Sequence, residues 1–391
     1  MKMSSLIVNK YTICLYVQGL GQKISFFDDT IDLITSACPQ KHASFSLSVN
    51  MQDFDSISGH FSDPNDEDVF DQTTELLVNT ALANPNKTIH AKIYINIDPY
   101  GQRYDIIENQ KTKLVYLIDR IKSLSNSVRI VLIGHSQGGL VNLEAAIARP
   151  YQIERLISLS TPYAPVYVAK LFEQINEIRV IFNGVFEILN GGPYGLSPYS
   201  SICVSTLASE TYFNDLKGRW NALPYRPHLL AICGVSAKME TVGPLMPFQI
   251  GPDVSWQAST DYRAFDGLVS AQEQNAISHA QIVNLYDSSL PCASTLRFLN
   301  VPCANSHSAG CIGSCLLPGI SPTSVVSTYL LHSSTYESDV FNAVGQATSN
   351  QSFTGPDYVR PVYDVFLGCF SHSKICTSPE AIQLIRGKLE S

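Results

Sequence analysis

Positive charge is in deficit in this chain, where 26 lysines and arginines stand against 34 aspartates and glutamates for a formal net charge of −8. That balance excludes a nucleic-acid binder and leaves no broad basic patch for anionic lipid. Long apolar runs are lacking as well: no stretch of about 18 residues is apolar enough to span a bilayer. The early apolar stretch is interrupted by Asn9, Lys10 and Gln18 and no small-residue cleavage site follows, so no signal peptide is read. The ten cysteines form no framework; they are scattered, which suits free thiols in a reducing compartment better than a small disulfide scaffold. A cytoplasmic location is therefore expected, with export by another route left open. The acidic, turn-rich stretch from Asp53 to Asp71 lacks the strict Asp-x-Asp-x-Asp-Gly spacing of a calcium loop and reads as a solvated loop. What is present is apolar mass. With 391 residues, 45% hydrophobic and 15% charged, the chain can bury a large core.

The stretch that organises the rest is Val128 to Pro150. Val128 to Ile133 is a nearly unbroken apolar run, the pattern of a parallel strand buried on both faces. It passes through Gly134-His135-Ser136-Gln137-Gly138-Gly139 into Leu140 to Arg149, apolar enough to pack on a sheet and stopped by Pro150. Strand, tight turn, helix is the order implied. Such a turn lifts one side chain out at the C-terminal end of the strand and needs glycine on both sides, because a Cβ there would strike strand or helix. The side chain lifted out is Ser136. The Gln137 N–H and the positive end of the helix dipole lie where they can stabilise a developing oxyanion.

The five-residue pattern G-x-S-x-G is weak alone, with roughly 0.15 chance matches expected for this composition. Its flanks carry the reading, and with them the segment resembles the nucleophile elbow of the α/β-hydrolase superfamily, in particular its lipase and esterase branch. The resemblance implies an α/β fold: a mostly parallel central sheet with helices on both faces and an inserted cap or lid.

Taken in order, Tyr11 to Val17 is rich in aromatic and β-branched residues and ends in Gln18-Gly19-Leu20-Gly21, a first strand running into a tight loop. Lipases of this superfamily commonly have His-Gly in the equivalent loop, and the residue after that Gly supplies a second oxyanion N–H. Here Gln18 replaces the His, and the resemblance assigns the donor to the backbone of Leu20. The run from Gln72 to Ala83 is helix-like, Ile89 to Ile97 is a strand, and Ile106 to Leu124 carries Leu114, Leu117, Ile118 and Ile121 at helical spacing. These elements feed the central strand and complete a β-α-β-α unit, hence a parallel sheet.

Beyond the elbow helix, Ile153 to Leu159 is the next strand, and the Ser160-Thr161-Pro162 that follows resembles a segment found after the same strand in lipases. The next strand is His228 to Val235. Residues 163–226 between them form an insertion, apolar and helical at first and then rich in Gly, Pro, Ser and Tyr. It is either an amphipathic lid that meets a lipid interface transiently or a structural helical layer. The whole of 1–391 is read as one α/β-hydrolase domain with a helical C-terminal region over 316–391.

The string Asp266-Gly267-Leu268-Val269-Ser270 resembles the acid turn of bacterial and inositol-deacylase-like lipases, where the Asp fixes the histidine tautomer. Asp261 and Asp253 are rivals without that sequel. Among nine histidines, the base is expected after the acid in chain order. His279 follows too closely, inside a helix-like run with no strand between. Thr295 to Val301 supplies a strand, and His307 lies on the loop past its end; His332 is the alternative, with His372 farther along. One competing constellation shares His307: Cys303, His307, Cys311 and Cys315 recur at equal spacing and superficially suggest zinc, but no second cluster closes the set. The expectation is a lipase-type serine carboxylic ester hydrolase needing no cofactor or metal. Ser136 is its nucleophile, His307 its base and Asp266 its acid, with the Leu20 and Gln137 N–H groups on the oxyanion and a small-molecule or lipid ester as substrate.

Overall fold

In the computed structural model the described residues are 10–20, 22–95, 106–166, 169, 198–235, 237–241, 261–266, 269, 271–286, 295–297, 372 and 374–391. Seven strands form one sheet. They are β1 (Tyr11–Val17), β2 (His42–Asn50), β5 (Thr88–Tyr94), β6 (Val128–His135), β7 (Ile153–Leu159), β8 (His228–Val235) and β11 (Ala280–Tyr286). Their order across the sheet is β11-β8-β7-β6-β1-β5-β2, and all six pairings are parallel. Two short strands, β3 (Phe54–Asp55) and β4 (His60–Phe61), make a hairpin beside it. A small second sheet joins β9 (Ala237–Thr241), β10 (Asp261–Phe265) and β12 (Thr295–Arg297).

Both faces of the large sheet are covered, which is why its strands are apolar throughout rather than alternating. On one face Ile13, Leu15 and Val17 pack with helices α2 (Pro64–Ala83), α3 (Ile107–Leu124), α4 (Gln137–Ala148) and α6 (Glu210–Ala222). On the other, Cys14 and Tyr16 pack with α1 (Asp28–Ala37) and α8 (Pro379–Glu390). Each fully buried Ile or Leu in these layers contributes about 1.5–3 kcal/mol. The strands centred on β1 and β6 bring their C-terminal ends to one edge, where open parallel sheets place their ligands.

The acidic stretch expected to be a solvated loop is instead built into the fold. Phe54, Phe61 and Phe70 from it are buried and pack, with Tyr116 of α3, as an aromatic cluster. Its second half forms the opening turns of α2, which begins at Pro64 rather than at Gln72. The physical signal was local. The Asp63 carboxylate accepts the Asn65 N–H at 2.8 Å, Pro64 occupies the first helical position, and Asp66 and Glu67 lie at the positive end of the helix dipole. The supposed helix around His279 is also corrected: α7 (Ala271–Gln274) is a single turn, and β11 starts at Ala280 directly after His279, whose φ is 56°.

Two helices of the 163–226 insertion are described, α5 (Pro198–Ala208) and α6. Phe213, Leu216 and Trp220 of α6 are fully buried in the core. The Trp220 indole N–H donates to the Ser278 carbonyl at 2.9 Å, and Arg219 makes a two-pronged pair with the buried carboxylate of Glu144 on α4 at 2.7 and 2.8 Å. This end of the insertion is therefore a fixed layer on the elbow helix. Among the described residues no helix is long and apolar enough to cross a membrane.

Candidate active site

The turn between β6 and α4 puts Ser136 in a backbone conformation that L residues rarely adopt, φ 52° and ψ −126°. Such strain persists only where the surroundings over-determine it. Here they do. The Ser136 N–H donates to the Leu159 carbonyl of β7 at 2.9 Å, which binds the turn to the neighbouring strand. A Cβ on Gly138 would lie 2.2 Å from the Val17 carbonyl oxygen, so the first turn of α4 rests directly on the end of β1. Close contact of this kind leaves no alternative course for the chain. Thr161, from the Ser160-Thr161-Pro162 segment, packs against Gly139 on the other side, which gives that lipase-like string a physical role as the support of the elbow helix.

Ser136 is only partly buried, whereas Gln137 behind it is covered. As the first residue of α4, Gln137 has an N–H with no intrahelical acceptor. The loop after β1 lies over the same point. A Cβ on Gly19 would be 2.9 Å from the Ser136 Cβ, so the Gly19-Leu20 backbone passes against the elbow. Leu20 is buried there and Gln18 is wholly buried. Cys203 of α5 reaches the same region, with the Gln137 side-chain amide 4.0 Å from its sulfur.

Asp266 follows β10 and is completely buried. One carboxylate oxygen accepts the Val269 N–H at 2.7 Å; the other accepts from Gln274 at 3.2 Å and from His372 Nδ1 at 2.8 Å. Gln274 also bridges to both backbone groups of Gly234, which fastens the acid turn to the end of β8. The nearby Cys233 thiol is pushed up to about 12, chiefly by burial and then by the charge of Asp266. Of the rivals to Asp266, Asp261 begins β10 and Asp253 lies outside the described residues.

His307, expected as the base, lies outside the described residues, as do His332 and the cluster of Cys303, Cys311 and Cys315. The imidazole found on Asp266 is that of His372. Its backbone is fixed at both ends: the His372 N–H donates to the Asp266 carbonyl at 2.8 Å, and its carbonyl accepts from His135 Nε2 at 2.5 Å. The His372 and His135 rings are 4.7 Å apart, which puts His372 beside the residue that precedes Ser136. The sequence carried a signal for this position. Ser378 and Pro379 mark the start of α8, with the serine hydroxyl accepting the Ala381 N–H at 3.2 Å, and Ile382 and Ile385 are buried in the core layer that α8 shares with α1 on this face of the sheet. A histidine on the loop just before a helix anchored in that way is carried to the edge of the sheet.

His135 is buried and its pKa is held well below the ordinary histidine value, first by burial and then by the neighbouring His372. It is neutral. Among the described residues no group of three or more His, Cys, Asp or Glu side chains could hold a metal ion.

A seven-stranded parallel sheet, covered on both faces, with a strained serine between its central strand and the following helix, is the arrangement that the resemblance of the elbow to α/β-hydrolases implies. More particularly, residues 94–184, which run from the end of β5 across the elbow into the insertion, match the family model described as PGAP1-like alpha/beta domain. Solved structures that are similar include the mature lipase BlEst2 of Bacillus licheniformis, 14% identical over 71% of this chain and 84% of that one, with a TM-score of 0.37. A monoacylglycerol lipase of Paleococcus ferrophilus is 13% identical over 71% and 87%, with a TM-score of 0.33. The lin2722 gene product of Listeria innocua is 13% identical over 71% and 84%, with a TM-score of 0.36. Comparison with curated protein sequences gave no match.

Proposed function

We propose that the protein is a serine hydrolase of carboxylic esters that works through an acyl-enzyme, with Ser136 as nucleophile, His372 as base and Asp266 as the acid that orients it. The observation that carries this reading is the 2.8 Å hydrogen bond from His372 Nδ1 to a buried carboxylate, with the ring held beside the elbow that presents Ser136. With Nδ1–H given to Asp266, the neutral imidazole has its lone pair on Nε2, the tautomer that a general base needs. Ser136 Oγ attacks the acyl carbonyl and His372 takes its proton. The Asp266 carboxylate stabilises the imidazolium, which then protonates the leaving alkoxide; water repeats the sequence to release the acid. The N–H groups of Leu20 and Gln137 are assigned to the oxyanion, the one brought over the elbow by the approach of Gly19 and the other at the start of α4. A lipid acyl ester is the proposed substrate, on the strength of the lipase-like fold and the PGAP1-like segment.

The test is hydrolysis of p-nitrophenyl esters of rising acyl length by the wild type, Ser136→Ala and His372→Ala. Turnover is expected in the wild type and loss in both variants; turnover undiminished in Ser136→Ala would refute the assignment.

A further inference from the structure

An unbroken line of hydrogen bonds passes under the elbow from the loop after β1 to the His372 loop. The Gly19 N–H donates to Gln22 Oε1 at 2.7 Å. His135 Nδ1 lies 2.8 Å from the Gln22 amide nitrogen and 3.1 Å from its oxygen; because Nε2 of this neutral ring must donate to the His372 carbonyl, Nδ1 is an acceptor and takes the hydrogen bond from the Gln22 nitrogen. The His135 proton is thus on Nε2, which is 2.5 Å from that carbonyl. The His372 N–H and Nδ1–H both donate to Asp266, to its carbonyl and its carboxylate, each at 2.8 Å. Gln22, His135, His372 and Asp266 are all buried, at 6, 0, 5 and 0% exposure.

This line is more than packing. A buried amide and a buried imidazole are costlier to desolvate than apolar side chains of the same volume, and a sheet edge can be filled without them. Both ends of the line finish at groups that the proposed chemistry uses. At one end the Gln22 side chain fixes the Gly19 N–H, and the Gln22 backbone N–H donates at 3.3 Å to the Gly19 carbonyl, which belongs to the peptide that carries the Leu20 N–H. At the other, His135 fixes the backbone of His372. Phe26 closes the line from the side, its ring 4.8 Å from that of His135.

We infer that Gln22 and His135 are positioning residues that tie the loop of the oxyanion donor to the loop of the base, so that Leu20 N–H and His372 keep one spacing across Ser136 throughout the reaction. The inference rests on the proposed roles of Ser136 and His372. His372 gains and loses a proton in each half of the reaction, while His135, kept neutral by burial, offers its proton to a carbonyl and does not compete for the one in transit. Displacement of reacting groups by about 1 Å can cost 10²-fold in rate, and that is the scale of effect expected when the line is cut.

The experiment compares labelling of Ser136 by a fluorophosphonate, and kcat and KM on a p-nitrophenyl ester, in the full-length wild type, His135→Phe, Gln22→Met and His135→Gln. Folding is checked by thermal melting. The wild type should be labelled, with Ser136→Ala unlabelled. His135→Phe and Gln22→Met keep the volume but break the line, and should lose about 10²-fold in labelling rate and kcat with little change in KM. His135→Gln, which retains a donor and an acceptor, should recover most of the loss. Should His135→Phe fail to fold, Gln22→Met decides. Folded variants that react at the wild-type rate would overturn the inference and leave the Ser136 reading intact; a wild type that is not labelled would overturn both. Independently of activity, ¹⁵N spectra of the histidines should find His135 protonated on Nε2 alone, and a proton on Nδ1 would refute the line.

Discussion

The volume that a Cβ at Gly19 would need is already held by the Cβ of Ser136, 2.9 Å away. Gly19→Ala should therefore lift the Gly19-Leu20 loop from the elbow without touching the sheet. Loss of one oxyanion donor typically costs about 10²–10³ in kcat, and a fall of that size with a melting temperature close to wild type is expected. Gly138→Ala meets main chain instead, 2.2 Å from the Val17 carbonyl oxygen, so its expected outcome is loss of folded protein, read by circular dichroism.

Removing the imidazole on Asp266 should be far more damaging than removing the one that the spacing first suggested. His372→Ala is expected to lower kcat by about 10⁴ or more while the chain stays folded. His307→Ala should keep near wild-type turnover. The reverse pattern in steady-state kinetics would return the base to His307.

Arg219→Ala would leave the Glu144 carboxylate, 3% exposed, without its two-pronged partner. An unsatisfied buried acceptor costs about 1–3 kcal/mol, more for a charged one, and a lower urea midpoint is expected. Trp220→Ala, which empties a fully buried site on the same helix, should cost about 3–5 kcal/mol. Neither change touches the Asp266–His372 pair, so activity measured below the unfolding transition should be near normal.

The sheet also contains a neutral histidine pair whose pH behaviour has a definite sign. Tyr16 Oη is 2.7 Å from His90 Nδ1, His90 Nε2 is 3.1 Å from His42 Nδ1, and His42 Nε2 is 3.5 Å from Glu390 on α8. Burial brings His90 down to about 3 and lowers His42, the latter opposed by Glu390. Both folded values lie below the unfolded one near 6.5, so between them the unfolded chain binds more protons and stability rises with pH. The contribution is complete above about pH 6.5 and is lost progressively as pH falls toward about 3. Urea midpoints taken between pH 7 and 4 should decline in the wild type, and more shallowly in His90→Gln; equal slopes would refute the assignment.

How much was legible in the chain follows from the range of each signal. β1, β7 and β8 were readable to the residue because doubly buried parallel strands are continuous apolar runs, and the elbow was readable because its glycines are dictated by contacts within a few residues. β2 was not, since its sequence HASFSLSVN is half polar and its burial is irregular at a register shift between Ser44 and Ser48. The opening of α2 was hidden behind its acidic composition, although Asp63 and Pro64 carried the start signal. The local string singled out Asp266, but not the imidazole that sits on it: Ser378 and Pro379 mark the start of α8, yet nothing in that signal points back across 106 positions to an aspartate.

That separation has a consequence for synthesis. Every strand of the large sheet is complete by Tyr286, and domains acquire structure from the N-terminus as they are made. The nascent chain can thus assemble its sheet and elbow while Asp266 still waits for an imidazole, and it gains one only after residue 372 and the helix behind it have left the ribosome. A polypeptide ended before residue 372 would lack the imidazole that Asp266 holds.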